Sequence, residues 1–283
     1  MIRVQEFTEY DEAYRFCEFN MAFFDLDKES KVEHGPLYHH HPEFNFRHLD
    51  HSINVISIKV AESDVPYPLN IYGTVLVRDL YDYRCVYLFK RGREDPQLIS
   101  SPDDMLTLTG PHRALAGAQS IFFEFHLKIK GEDTVDKDFS KGVVRLRDTC
   151  QRDTLSLGGY LSRVDVVCMP VVFALEACIG VNILGEKSNF AGKIAAWTTK
   201  TKESQIILYD SEVAGTVTTV GDDGSVSLTR HVLAVPQDEC LIIDVSVYDD
   251  GDNRSECYKF VPGVEVFTCK LCDIIDGIWV LWE

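Results

Sequence analysis

Nine cysteines, nine histidines and 45 acidic residues are the side chains of this chain that could do chemistry, and their spacing decides which chemistry. The cysteines are Cys17, Cys85, Cys150, Cys168, Cys178, Cys240, Cys257, Cys269 and Cys272. Cys269 and Cys272 form one CxxC. A structural zinc site needs a second ligand pair, and a redox pair needs to open a helix. Here the pair ends a strand-like run, Val264 to Cys272, so it is read as two free thiols. An odd, scattered cysteine set fits a reducing compartment, and a cytoplasmic or nuclear location is expected. Six histidines, His34, His39, His40, His41, His48 and His51, crowd the stretch 25–51. Clustered imidazoles can take zinc or copper. No cysteine partner or regular period accompanies them, so a linker is expected and no metal or cofactor is assigned.

The carboxylates gather at turns, where aspartate is favoured for its own hydrogen bonding. Asp222 and Asp223 precede Gly224, and Asp249, Asp250 and Asp252 surround Gly251. These five are the candidate partner-binding residues. As an alternative they would line a calcium or small-ligand site at one end of a β-sandwich, although calcium's oxygen-rich shell has no EF-hand spacing here. No glycine-rich phosphate loop and no GxSxG elbow occur. Serine, histidine and aspartate lack a local triad signature, and no catalytic residue is assigned.

Charge narrows the partner class. The formal net charge is −17. Residues 1–50 carry 5 basic and 11 acidic side chains, 51–150 carry 13 and 14, and 151–283 carry 10 and 20. Phosphate backbones and anionic membranes both need a basic footprint, so neither is expected as a direct partner. A basic protein is. No apolar run is long enough for a membrane span.

The elements that would position these residues follow from periodicity. Thr8 and Asp11 resemble a capping box, and Tyr10, Tyr14, Cys17, Met21 and Phe24 form one stripe, which predicts a short amphipathic N-terminal helix. From Ser52 the period becomes two. Ile56, Ile58 and Val60, then Leu69 to Val77, then Ile121, Phe123, Phe125, Leu127 and Ile129, then Leu241, Ile243, Val245 and Val247 read as strands. Gly73 and Gly192 inside such runs predict bulges or close backbone approach.

A shift of 120 residues superposes the chain on itself. Leu106-Thr107-Leu108-Thr109 meets Val226-Ser227-Leu228-Thr229, Ala114 meets Ala234, and Ile121, Phe123, Phe125 and Leu127 meet Leu241, Ile243, Val245 and Val247. The fold expected is mainly β: two related antiparallel sandwich-like units in tandem after a short helix. The divisions are 1–51, helix and His-rich linker; 52–150, first unit; and 160–283, second unit. Separate sandwiches and one fold with shared sheets both satisfy the repeat.

Several motifs carry a family resemblance. They include Pro68 to Tyr72-Gly73, Arg78-Asp79, Gly110-Pro111-His112-Arg113, Phe190-Ala191-Gly192 and Leu208-Tyr209-Asp210. Over about 52–283 the chain resembles a plant family, expanded in grasses, whose domain is of unknown function. In some members that domain follows a ribosome-inactivating rRNA N-glycosylase domain, as in the jasmonate-induced ribosome-inactivating protein of barley. The resemblance implies a link to stress or defence. It does not imply depurination by this chain. Ala174-Leu175-Glu176 imitates the start of the glycosylase motif, but Ile179 stands where the arginine would be. The reading is a non-enzymatic acidic interaction or regulatory module of the plant cytosol, with a basic ribosome-inactivating or ribosomal protein as partner. The alternatives are a ligand- or calcium-binding β-sandwich, and a latent glycosylase-related activity.

Overall fold

The computed structural model describes residues 25–32, 39–40, 47–48, 51–102, 104–117, 121–131, 135–146, 152–183, 188–213, 216–249, 252–263, 266–269 and 275–282. The expected N-terminal helix, His34, His41, Asp250 and Cys272 lie outside them. Among the described residues there is no helix. The strands are β1 (His39–His40), β2 (Arg47–His48), β3 (Ser52–Ser63), β4 (Leu69–Arg78), β5 (Val86–Arg91), β6 (Gln97–Ile99), β7 (Leu115–Ala116), β8 (Ile121–Ile129), β9 (Lys137–Leu146) and β10 (Asp153–Gly158). They continue with β11 (Ser162–Val171), β12 (Ala174–Ile183), β13 (Gly192–Thr198), β14 (Ile206–Asp210), β15 (Val232–Pro236), β16 (Leu241–Asp249), β17 (Asp252–Phe260), β18 (Val266–Cys269) and β19 (Ile275–Trp282).

Alternation explains the strands. In β8, Ile121, Phe123, Phe125 and Leu127 are buried, while His126 is exposed between them. Such a face must meet another sheet. It does: β5-β4-β8-β9, with β6 beside β4, shares a core with β10-β11-β3-β7. A second core is shared by β14-β13-β16-β17 and β18-β19-β12-β15. The strand order of the first sheet pair is repeated in the second.

Two findings refine the expected divisions. Val164, Val166 and Cys168 of β11 sit in the first core, so the hairpin β10–β11 packs with β3, not with the strands that follow. The 120-residue repeat carries no signal through this hairpin, which is why the sequence division misses it. Residues 25–32, read as linker, dock on the first sheet pair: the Ser30 N–H donates to the Cys85 carbonyl, 2.9 Å, and the Cys85 N–H to that of Lys28, 3.0 Å.

Gly73 and Gly192 hold equivalent places. A Cβ on Gly73, whose φ is 117°, would lie 2.1 Å from the His126 carbonyl oxygen, and one on Gly192 2.3 Å from that of Ser246. Only a residue without Cβ lets β4 and β13 run that close to β8 and β16.

Beyond the end of β4, Asp79 meets Arg113, and both side chains are fully buried. The guanidinium donates from Nη1 to Oδ2 at 2.6 Å and from Nη2 to Oδ1 at 2.9 Å. The Ala116 N–H adds a third donor at 2.9 Å, and Arg113 also donates to the Ala114 carbonyl at 3.1 Å. Ala114 in turn donates its N–H to the buried Glu176 carboxylate of β12, 2.6 Å. In the opposite sense Asn54 of β3 donates to the Ala234 carbonyl, 2.7 Å, and accepts the Ala234 N–H, 2.9 Å. Ala114, Val171, Ala174 and Ala234 form a small apolar cluster beside these bonds. The two sheet pairs are thus joined by reciprocal side-chain grips on two alanines that the repeat aligns.

Replacing one partner of a buried pair strands the other charge. Arg113→Met is expected to lose about 3–5 kcal/mol in urea unfolding, and Asp79→Leu/Arg113→Met distinctly less. A loss below about 1 kcal/mol for the single variant would show the pair to be dispensable. Asn54→Leu orphans two buried backbone groups, at about 1–3 kcal/mol each. Hydrogen exchange at the Ala234 amide is expected to accelerate; an unchanged rate would count against the grip.

Candidate functional site

The family-motif residues build the frame. Arg78 pairs with Glu124, Nε–Oε1 2.7 Å, and donates to the carbonyls of Tyr83, 2.8 Å, and Leu26. The Tyr209 hydroxyl, on a fully buried ring, donates to the Phe190 carbonyl at 2.7 Å. Asp210 pairs with Lys193 at 3.7 Å. Gly110, before Pro111, passes so near the Tyr87 carbonyl oxygen that a Cβ would stand 2.1 Å from it. Tyr72 donates its hydroxyl to Asp136, 2.6 Å, and Arg93 donates to the same carboxylate, 2.8 Å. Glu176, the start of the glycosylase-like stretch, sits in strand β12 within the joint.

The acidic turns come together at one end of the second sheet pair. β12 finishes at Ile183 and β13 begins at Gly192, which faces Val247 of β16. Asp249 and Asp252, paired across the β16–β17 hairpin, therefore lie at that end. The Ile183 N–H donates to the Gly224 carbonyl, 2.8 Å, which brings Asp222 and Asp223 there too. These last two are exposed. Hydrogen bonds from the Ser225 hydroxyl and N–H hold the Asp223 carboxyl below its usual range. Among the described residues no group of three or more His, Cys, Asp or Glu is arranged to hold a metal.

Charge pairing differs between the halves. The first sheet pair engages carboxylates with arginines: Arg78 with Glu124, Arg93 with Asp136, and Arg163 with Glu62 at 2.6 Å. The second uses Lys193 for Asp210, and Lys200 for Asp238 and Glu239 at 2.7 and 3.4 Å. None of these cations engages Asp222 or Asp223.

A cleft of about 520 Å³ opens between the halves, beside the contact of β14 with β3. One wall is β3 with the segment 97–108; the other is β13, β14 and residues 229–230. Arg230 lines it at 2 % exposure. Its Nε finds no hydrogen-bond acceptor, and burial alone pushes its guanidinium down to about 10. Sequence reasoning did not single out Arg230. The one signal was the repeat, which aligns it with Gly110 and so marks a charge present in one half alone.

Asp136 also yields a pH test. Its hydrogen bonds from Tyr72 and Arg93 hold its carboxyl at about 2, against 3.8 for a free group. A depressed carboxylate stabilises the fold above the unfolded value and ceases to do so as pH falls through the folded one. Asp136→Asn is expected to lower the urea midpoint at pH 7 and to match the wild type near pH 2. A gap that persists in acid would place its cause elsewhere.

No curated protein matches the chain. Similar solved structures include the tandem C2 domains of extended-synaptotagmin 2, at 8% identity and TM-score 0.27, covering 92% of this chain and 96% of that one. Human GIVD cytosolic phospholipase A2 is similar at 8% identity and TM-score 0.24, over 82% of this chain and 32% of that one. The model of the domain of unknown function DUF6598 matches residues 52–274, which take in both sheet pairs, the joint and the cleft, and the chain belongs to that family.

Proposed function

We propose that the chain is a non-enzymatic interaction module made of two related β-sandwich units, with the acidic end of the second unit as its docking face for a basic protein. The repeated strand order and the reciprocal joint support the two-unit reading, with the boundary between Val171 and Ala174. The observation that carries the docking reading is the convergence of Asp222, Asp223, Asp249 and Asp252 on one end, away from the lysines engaged elsewhere. A rigid frame with acidic residues gathered at one end steers a cationic surface and sets orientation more than it adds affinity. Given the resemblance to domains that follow a ribosome-inactivating domain, a ribosome-inactivating or ribosomal protein in the plant cytosol is the concrete partner. The setting is stress or defence.

Steering of this kind weakens with salt. Pull-down from plant extract at low ionic strength is expected to return a basic protein that is released at about 0.5 M salt, beyond the reach of screened surface charge. Asp222→Lys/Asp223→Lys, both exposed, is expected to fold normally and to lose the partner. Capture that survives both the substitutions and the salt would refute this docking face.

A further inference from the structure

Arg230 presents an electrostatic problem that the fold leaves unsolved. A guanidinium has five donors and stays charged at any pH the fold survives. Buried charges are otherwise paired, because an uncompensated one costs several kcal/mol. Arg113, the other deeply buried arginine with an orphan Nε, has Asp79 against it. Among the described residues no carboxylate pairs with Arg230, and desolvation is the sole influence on its titration. Its neighbour in the cleft, Lys193, is turned to Asp210 at 3.7 Å. The residue therefore sits as a preformed cation facing a cavity and not a partner.

The cavity around it has the size and lining of a small-molecule site. Ile56, Leu106, Leu108 and Ile207 give it apolar walls, and Ser57 adds a hydroxyl-bearing residue. Three acidic residues also line it, Asp104, Asp210 and Glu212. Asp104 is occupied as a turn cap by the Ser100 and Ser101 N–H groups, at 2.6 and 3.2 Å, and the Ser101 hydroxyl, at 2.9 Å. Asp210 accepts the Glu212 N–H, 3.0 Å, besides pairing with Lys193. These carboxylates disfavour a dianion such as phosphate but cost a monoanion much less. A planar carboxylate also matches the guanidinium fork.

We propose that the cleft between the two halves binds a small organic monocarboxylate, its carboxylate on the Arg230 guanidinium and its apolar body between β3 and β14. This site is separate from the acidic docking end and does not depend on it. Binding would bridge the two sheet pairs beside their joint, so an occupant stabilises the whole chain by mass action.

The test uses the full chain with hexanoate and benzoate as probes, hexanol and benzamide as neutral counterparts, and inorganic phosphate as the dianion. Calorimetry and thermal unfolding are expected to show saturable stabilisation by the carboxylates and none by the neutral probes. Arg230→Met is expected to weaken carboxylate binding at least about tenfold, the scale of one charge-assisted hydrogen bond. It is also expected to leave the free protein as stable as the wild type or more so, since it removes an unpaired buried charge. Ser57→Phe, which keeps Arg230 and fills the facing wall, is expected to abolish binding with folding intact. Equal response of wild type and Arg230→Met, stabilisation by the neutral probes alone, or no response to either carboxylate would overturn the proposal. So would a large loss of stability in Arg230→Met, because it would reveal an internal partner. Tighter binding of phosphate than of benzoate would overturn the monoanion assignment.

Discussion

A carboxylate and a guanidinium, both removed from water, hold the turn after β4 against the segment that enters β7. The Asp79–Arg113 pair has two parallel hydrogen bonds and a third donor from the Ala116 backbone. Once that geometry is set, the backbone around Ala114 has little freedom. Ser30, from the N-terminal segment, is drawn to the same place by Asp82 at 3.0 Å. Ala114 then presents its N–H to Glu176 across the boundary between halves. Core packing supplies most of the stability of each sheet pair. The ion pair decides where the boundary between them falls.

That boundary is held by a reciprocal arrangement. Glu176 reaches from the second half to Ala114, and Asn54 reaches from the first half to Ala234. The apolar patch between them is small, so the polar grips set orientation more than they add cohesion. The two are not chemically equal. An amide satisfies both backbone groups of Ala234, whereas a carboxylate satisfies one group of Ala114 and leaves its carbonyl to Arg113. The difference ties the joint to the ion pair on one side only. Away from the joint the halves part, and the cleft lined by Arg230 lies there.

Charge follows the same division. In the first half, arginines take up carboxylates within the frame; in the second, acidic turns converge at one end. A frame common to both halves does not require that acidity. Arg230 likewise has no counterpart at Gly110. The features that differ between the halves are the candidates for function, and those they share, such as Gly73 with Gly192, serve the frame.

The strands, their buried faces and the two tight glycines were legible in the chain's local pattern, because period-two alternation and the absence of a Cβ act locally. The same pattern marked Asp79, Arg113, Gly110 and Tyr209 as frame residues and aligned Ala114 with Ala234. It was weaker at the hairpin β10–β11, where no repeat signal runs, and silent on the docking of residues 25–32, which depends on backbone bonds to Cys85. It named Asp222 and Asp249 as acidic turns but could not bring them to one end, since strand order is a matter of long-range pairing. It took the folded chain to place Glu176 in a joint, and to bury Arg230 beside a cleft without a carboxylate. Desolvation and pairing of a charge depend on residues far apart in the chain, which local patterning does not encode.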